Sequence, residues 1–600
     1  WQTLTPSAGS PTARHEAAYV QAGDRFYLMG GRGIKPVQVY DPIGRSWTNA
    51  ASTPLELHHF QAVTLDGLIY VVGALTGGYP AETPVPRIHI YNPKTNEWIQ
   101  GPEIPAARRR GSAGVAIYNK KIYMVGGNTQ GHNAGYVNWF DEYDPATNSW
   151  KILPNAPRAR DHFHAVIIGS KLYAAGGRRS SANTGQTFML TVPEVDIYDL
   201  VTGQWSTSTS PIPTQRAGVT SVALDGQLLV IGGESSQPSA HKETEAYTPA
   251  TNAWKRLAFL NQGRHGTQAI VNNQAIYIVA GSGSQGGSPE LNTQEVFYKA
   301  GPTTPTGTQL TQSQLMAPTS QAFGQVVTNT TQSTWIKLTN TTGNQAIVVT
   351  GISLSGSTEF SYQAPFALPF IVGVGQSVDI KVNFSPTSTG GKTASLNIAH
   401  SGTGKNTPVA LSGEGASSGQ MALVSFSLMN ADSDQEIRVI ANNDVINLAS
   451  LPTPRLNIRA NTNPAKVGSV IFTLNGPQNQ TTWESVGPYS LFGDNNGNYN
   501  PWTPVPGSYT LKATPYSGAN GTGTAGITLS ITFTVTTNAG GRAQASSQEL
   551  TEYATGWRFY PNPSSNMVRI EFEAGHTLPL TVDIVDLLGR SVLHIDKRNL

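Results

Sequence analysis

The side chains able to do chemistry in this chain recur at a fixed spacing. Arg14, Arg110, Arg160, Arg216 and Arg264 each stand thirteen residues before Tyr27, Tyr123, Tyr173, Leu229 and Tyr277, and His58 stands twelve before Tyr70. Guanidinium forks favour carboxylate and phosphate groups. A ring of such cations therefore reads as an anion-binding mouth for an acidic sugar, a sulfated glycan or an acidic peptide loop. The same spacing permits a structural use, in which each arginine hydrogen-bonds loop carbonyls or a neighbouring acid, because unpaired like charges gathered together are costly. Histidines beside acids form a second set: His15-Glu16, His58-His59, and Asp161, His162 and His164 next to Arg160. Such groups serve as general acids and bases or as metal ligands. His162, His59, Glu16 and Glu234 are the catalytic candidates, although no spacing repeats a known metal pattern and polar residues of a channel would look the same. Tyr79, His132, Tyr136, Trp139, Arg178, Arg179 and Phe188 fall in inserts of variable length, where exposed aromatics suit stacking on sugars or contact with proteins. Trp139 and Arg178 join the cationic ring as ligand-binding candidates. The run from Gly493 to Asn498 looks like a fragment of a calcium loop around Asp494, but it lacks the glutamate of an EF-hand. Calcium is the one cofactor the sequence suggests.

The elements that position these residues repeat at a period of about fifty residues, which signals a propeller or solenoid. FYLMGG…VYDPIGRSW is followed by LIYVVGAL…YNPKTNEW, KIYMVGGN…YDPATNSW, KLYAAGGR…YDLVTGQW, QLLVIGGE…YTPATNAW and AIYIVAGSG…EVFY. This pattern resembles the kelch repeat, whose six-copy members are six-bladed β-propellers, over residues 1–300. The sixth copy has no Trp after it, and Trp1-Gln2-Thr3-Leu4 is expected to supply the missing strand and close the ring. Blade 1 is expected as His15–Val20, Arg25–Gly30, Val37–Tyr40 and Ser46–Asn49. The cations then open the innermost strand of each blade, on the face that carries the loops between the second and third strands. The recurrent Tyr and Trp positions are expected to pack blade on blade.

A chain of 600 residues needs several domains, and its Gly-, Pro- and Val/Thr/Tyr-rich pattern without helical periodicity makes it all-β. A Thr/Gln/Pro-rich stretch, 301–318, reads as a linker. Alternating runs over 319–416 and 417–537 predict two immunoglobulin-like sandwiches. The first resembles the ASPM/SPD-2/Hydin-type domains of bacterial surface proteins, and the second resembles modules found beside carbohydrate-active domains. After a polar linker at 538–550, residues 551–600, with Tyr560-Pro561-Asn562-Pro563 and the Asp586–Arg590 turn, closely resemble the C-terminal sorting domain of the type IX secretion system in Bacteroidota. The further hairpin usual in that family is missing, which implies truncation at Leu600. Numbering from a mature end would explain why no signal peptide precedes Trp1. The resemblance implies export to the outer cell surface or the medium and the type IX machinery as a partner.

Formal charge is +2, so there is no global electrostatic case for nucleic acid, and no run of eighteen apolar residues spans a membrane. With no cysteine, disulfides, thiolate metal sites and the Tyr-Cys copper radical of galactose-oxidase-type kelch enzymes are excluded. The expected role is binding or adhesion, with a glycan or protein ligand at the propeller mouth. The alternatives are a sugar-modifying enzyme, since six-bladed bacterial kelch sialic-acid epimerases share the architecture, and a structural subunit of an extracellular assembly, for which homo-oligomers are possible.

Overall fold

Each repeat folds as a four-stranded antiparallel sheet. In blade 1 of the computed structural model the strands, a to d, are Ala17–Ala22, Arg25–Gly30, Pro36–Asp41 and Ser46–Ser52. Blades 2 to 5 repeat that order. Blade 6 has three strands of its own, Ala269–Asn272, Ala275–Val279 and Gln294–Tyr298, and takes its outer strand, Gln2–Leu4, from the N-terminus, with Gln2 opposite Val296 and Leu4 opposite Gln294. The structure describes residues 1–417 and 421–537, together with four strands, Trp557–Pro561, Val568–Phe572, Thr581–Val585 and Ser591–Asp596, which pair as two hairpins. The 538–550 stretch and the Asp586–Arg590 turn lie outside the described residues.

The recurrent aromatics pack as a propeller requires. The strand-b residues Tyr27, Tyr70, Tyr123, Tyr173, Leu229 and Tyr277 are all buried. In blades 1 to 5 the strand-c tyrosine meets the strand-d tryptophan, as in Tyr40–Trp47 at 4.9 Å and Tyr143–Trp150 at 4.9 Å between ring centroids. In blade 6 the pair is Phe297 and Trp1, at 5.5 Å, and Trp1 Nε1 donates to Thr244 Oγ1.

The five arginines are buried inside the blades and do not line the mouth, which corrects their expected role as ligand-binding groups. Each is at most 1% exposed. The reason is local. Strand b ends at a pair of small residues with positive φ, usually Gly-Gly, and its last carbonyls leave the ladder there. Arg216 fills that gap by donating to the carbonyls of Gly232 and Val230 and to Glu245 Oε2 at 2.6 Å. Arg110, Arg160 and Arg264 do the same against Asp141, Asp196 and Glu295, while Arg14 uses Gln38. All five of these partners hold one position on strand c. In blade 2 that position is His89, a buried imidazole whose protonation is disfavoured by burial and by Arg87, and the residue at the arginine position is the buried Leu57. Leu57, not His58, is the equivalent of the arginines: its carbonyl accepts from Gly31 N as that of Arg160 accepts from Gly127 N. A cation appears where strand c offers an acid or amide and is absent where it offers a neutral ring, as a structural pair requires.

Two residues beyond this position the chain turns onto the propeller axis. Glu16, His59, Ser112, His162, Gly218 and Gly266 all have φ between 52° and 62°. Their backbones form a closed ring: His59 N donates to Glu16 O, Ser112 N to His59 O, His162 N to Ser112 O, Gly218 N to His162 O, Gly266 N to Gly218 O, and Ala17 N to Gly266 O, at 2.7–3.2 Å.

The first sandwich packs strands Leu315–Met316, Gln332–Asn340, Ser377–Phe384 and Phe360–Gln363 on a second sheet of five strands. The second sandwich faces a three-stranded sheet with one of five. Residues 301–318 are tied down and do not act as a free linker: Thr306 exchanges hydrogen bonds with Asn272, and Leu310 packs on blade 1. The first sandwich docks on the a–b turn of blade 2, through Ala346 N to Asp66 O and Gln345 Nε2 to Gly67 O, and its Ala346, Val348 and Ile371 join the buried cluster of blades 2 and 3. That turn is at the end of the blade away from the b–c loops, so the mouth is left open.

Removing one member of a buried ion pair costs about 3–5 kcal/mol. Arg160→Ala and Arg216→Ala should each lower the thermal midpoint of the chain markedly, and a midpoint equal to wild type would show the arginines are dispensable to the fold. Deletion of Trp1–Leu4 should destabilise the whole ring; proteolysis confined to blade 6 would count against closure by this strand.

Candidate functional site

Three imidazoles meet above the backbone ring. His59 and His162 are ring residues, and His132 enters from the b–c loop of blade 3, held by its N–H to Pro80 O and Glu82 Oε2. All three are buried, with ring centroids 4.7–5.1 Å apart. Each has its Nδ1 engaged from outside. His132 Nδ1 is 2.9 Å from Glu82 Oε1, His162 Nδ1 is 2.5 Å from Asp161 Oδ1, and His59 Nδ1 is 2.6 Å from His58 Nδ1. Glu82 is fixed in turn by Arg32 at 2.6 Å, and Asp161 accepts from Ser180 N and Oγ. Glu16 Oε2 lies 3.3 Å from His59 Nε2.

Electrostatics favour ionised acids around the rings. Burial alone would raise the Glu82 carboxyl, but His132 and Arg32 hold it well below the carboxylate range. Burial is the largest single influence on Asp161 and Glu16 and opposes their ionisation, but both are held below the usual carboxylate range by several partners together: His162, Arg178 and Ser180 for Asp161, and His162, His15 and His265 for Glu16. Burial and the neighbouring rings push His59 down, and burial pushes His132 down. His164 is pushed down to about 4 by burial, sits 3.2 Å from Thr220 Oγ1 and borders the small chamber below the cluster.

A cavity of about 460 Å³ opens over this floor, lined by His15, Glu16, Arg32, Glu56, Gly77, Gly78, Tyr79, His132, Phe188, Glu234, His265, Gly286 and Gly287. Beneath lies a chamber of about 30 Å³ bordered by Glu16, His59, Ser112, His162, Gly218 and Gly266. Of the catalytic candidates, Glu16, His59 and His162 are thus brought together. Glu234 stands in the cavity wall, paired with buried Arg178 at 2.5 Å and with His265 at 3.4 Å. Arg178 is 1% exposed and also donates from Nε to Ser180 Oγ, and Trp139 stacks under the Arg108 guanidinium at 4.6 Å. The burial of Arg178 corrects the expectation that it meets a ligand directly, while Trp139 is half-buried. Among the described residues the His58 ring hydrogen-bonds Gly77 O and His59.

Sequence reasoning missed Glu82, Arg32 and Ser180, which sit in loops with no repeat partner. Asp494, the calcium candidate, accepts from Gly497 N and Ser490 Oγ and so caps its own turn. Burial and the nearby Asp494 push the Glu484 carboxyl up to about 7. A raised carboxyl contributes stability below its unfolded value, near 4.5, and loses it as pH rises through 7. Glu484→Gln should therefore raise the melting temperature of the second sandwich at pH 8 and leave it unchanged at pH 4; the opposite ranking would contradict this environment.

Comparison with known proteins follows this architecture. The KLHDC2/KLHL20/DRC7 kelch-repeats domain matches residues 1–177 and 59–281, the ASPM-SPD-2-Hydin domain matches 308–407, and the secretion system C-terminal sorting domain matches 558–599. Kelch-like protein terF of Aspergillus terreus is 32% identical over 304 residues, covering 47% of this chain and 64% of that protein. Kelch-like protein 23 of Homo sapiens is 26% identical over 286 residues, 45% of this chain and 48% of its own length. The chain thus spans less than two thirds of these relatives. The solved structure of YjhT covers 48% of this chain and 96% of its own, with 17% identity and a TM-score of 0.42. In order along its length, the chain carries a kelch-repeat domain, an ASPM/SPD-2/Hydin domain and a C-terminal sorting domain that directs export by type IX secretion to the cell surface or the extracellular space.

Proposed function

We propose that this is a secreted binding protein of a Bacteroidota bacterium whose propeller mouth holds a polar, uncharged ligand, a neutral glycan end being the best fit. The observation that carries this reading is the cavity of about 460 Å³, which combines aromatic faces with convergent polar groups on a rigid ring. Tyr79 is 56% exposed at the rim, and Phe188 lies in the wall. Flat aromatic faces next to hydrogen-bonding groups suit sugar rings. The charge balance argues against an acidic ligand. Glu16, Glu56 and Glu234 line the cavity against one lining guanidinium, Arg32; four of the repeated arginines are neutralised by acids within the blades, and the fifth, Arg14, is buried against Gln38. A sugar-modifying enzyme at the same mouth is a second reading, favoured by the Asp161–His162 pair at the floor.

A glycan-array screen of the full chain at low and high salt tests the proposal. Neutral glycans should bind with little salt dependence, and Tyr79→Ala should weaken binding about 5- to 30-fold, the scale of a lost aromatic contact of ~1–2 kcal/mol. Steeply salt-sensitive binding of sialylated or sulfated glycans would overturn it. Release of an altered sugar on incubation would replace binding with catalysis.

A further inference from the structure

From the three converging imidazoles we infer that His59, His132 and His162 form a binding site for one divalent transition-metal ion of the zinc class, with Glu16 standing beside His59. The proposal stands apart from the ligand of the mouth. Its basis is the direction of the nitrogen lone pairs. The neutral tautomer of each ring can be traced outward. His58 Nε2 donates to Gly77 O, so His58 Nδ1 must accept, and His59 Nδ1 is the donor to it. His132 and His162 donate from Nδ1 to the carboxylates of Glu82 and Asp161. All three Nε2 atoms are then left as bare acceptors, and those of His132 and His162 face each other.

The Nε2 atoms of His132 and His162 are 3.1 Å apart, and the buried His59 Nε2 has no hydrogen-bond partner among the described residues, although Glu16 Oε2 is 3.3 Å away. Acceptors facing acceptors in a buried site repel unless a cation lies between them. The distances suit a metal. Ligands of a tetrahedral ion with metal–nitrogen bonds of about 2.0–2.1 Å stand about 3.3–3.4 Å apart, and one ligand nitrogen from each of the three rings falls within 4.8 Å of the others. The outer shell suits one too. Metal-bound imidazoles characteristically donate their second N–H to a carboxylate or other acceptor, and here two donate to carboxylates and one to a histidine that is itself anchored. Around the cluster, Glu16, Glu82 and Asp161 face one guanidinium, Arg32, since Arg178 is taken up by Glu234. The two uncompensated negative charges are what a divalent cation would neutralise.

The backbone adds an independent observation. At the six equivalent ring positions φ is positive, and blades 5 and 6 place glycine there. Blades 1, 2 and 4 instead carry Glu16, His59 and His162 in the same left-handed conformation, a strain of the kind that persists where a side chain is needed.

The full chain, produced without a polyhistidine tag, stripped with a chelator and dialysed, should take up one equivalent of zinc(II) by calorimetry and by elemental analysis. Cobalt(II) in its place should give the intense visible absorption of a four-coordinate site. His132→Gln, on a loop outside the ring, should abolish stoichiometric uptake with circular dichroism unchanged, and Glu82→Gln should weaken zinc about 10–100-fold. Fewer than one equivalent bound, the pale spectrum of six-coordinate cobalt, or uptake untouched by His132→Gln would each overturn the proposal and leave a shared proton between His132 and His162.

Discussion

The hydrogen-bonded ring around the axis is the constraint on which the rest of the propeller depends. Each blade must send one N–H to the blade before it and one carbonyl to the blade after it. That is possible only if the chain reverses just before strand a, and the reversal demands positive φ at one residue per blade. The buried arginines follow from the same turn. Strand a begins where strand b of its own blade runs out, and the carbonyls exposed there need a donor with several N–H groups. A guanidinium supplies them, and a strand-c acid offsets its burial.

This explains why the repeated cations were legible in sequence as a position and illegible as a role. Repetition in every blade shows that a residue serves the repeat, while a ligand is bound once and needs asymmetry. The count of thirteen residues before the strand-b aromatic also holds in blade 2, where it lands on Leu57. Following the charge instead selected His58, one residue out of register, which faces the mouth side and orients His59. The blade count, the closing N-terminal strand and the aromatic pairs were readable because each is a local pattern copied several times.

The histidine cluster was only half readable. Glu16, His59 and His162 share a spacing of eleven residues to the following strand-b tyrosine, so their common place was available from the sequence. His132, Glu82 and Arg32 belong to b–c loops of three different blades and obey no period. Their meeting depends on loop conformations fixed by tertiary contacts such as His132 N to Pro80 O, which no alternation or propensity encodes. The sandwiches were legible as alternating strands. Their dock on blade 2 was not, because Ala346 and Val348 read as core residues of the sandwich and are core residues shared with the propeller.

A closed ring of near-identical repeats gives a rigid axis and, by itself, no site. Chemistry enters where the repeats differ at the one backbone position they all share. In the two glycine blades the ring costs little strain and leaves space, and Gly218 and Gly266 border the small chamber. In blades 1, 2 and 4 the same left-handed turn aims longer side chains into that space, so the backbone that holds the blades together also sets the distances between Glu16, His59 and His162. A displacement of any one of them would have to break the ring hydrogen bonds on both sides of it. The fold therefore holds these groups as firmly as it holds its own strands, which is the condition for a site whose groups must stay about 3 Å apart without relaxing away from one another.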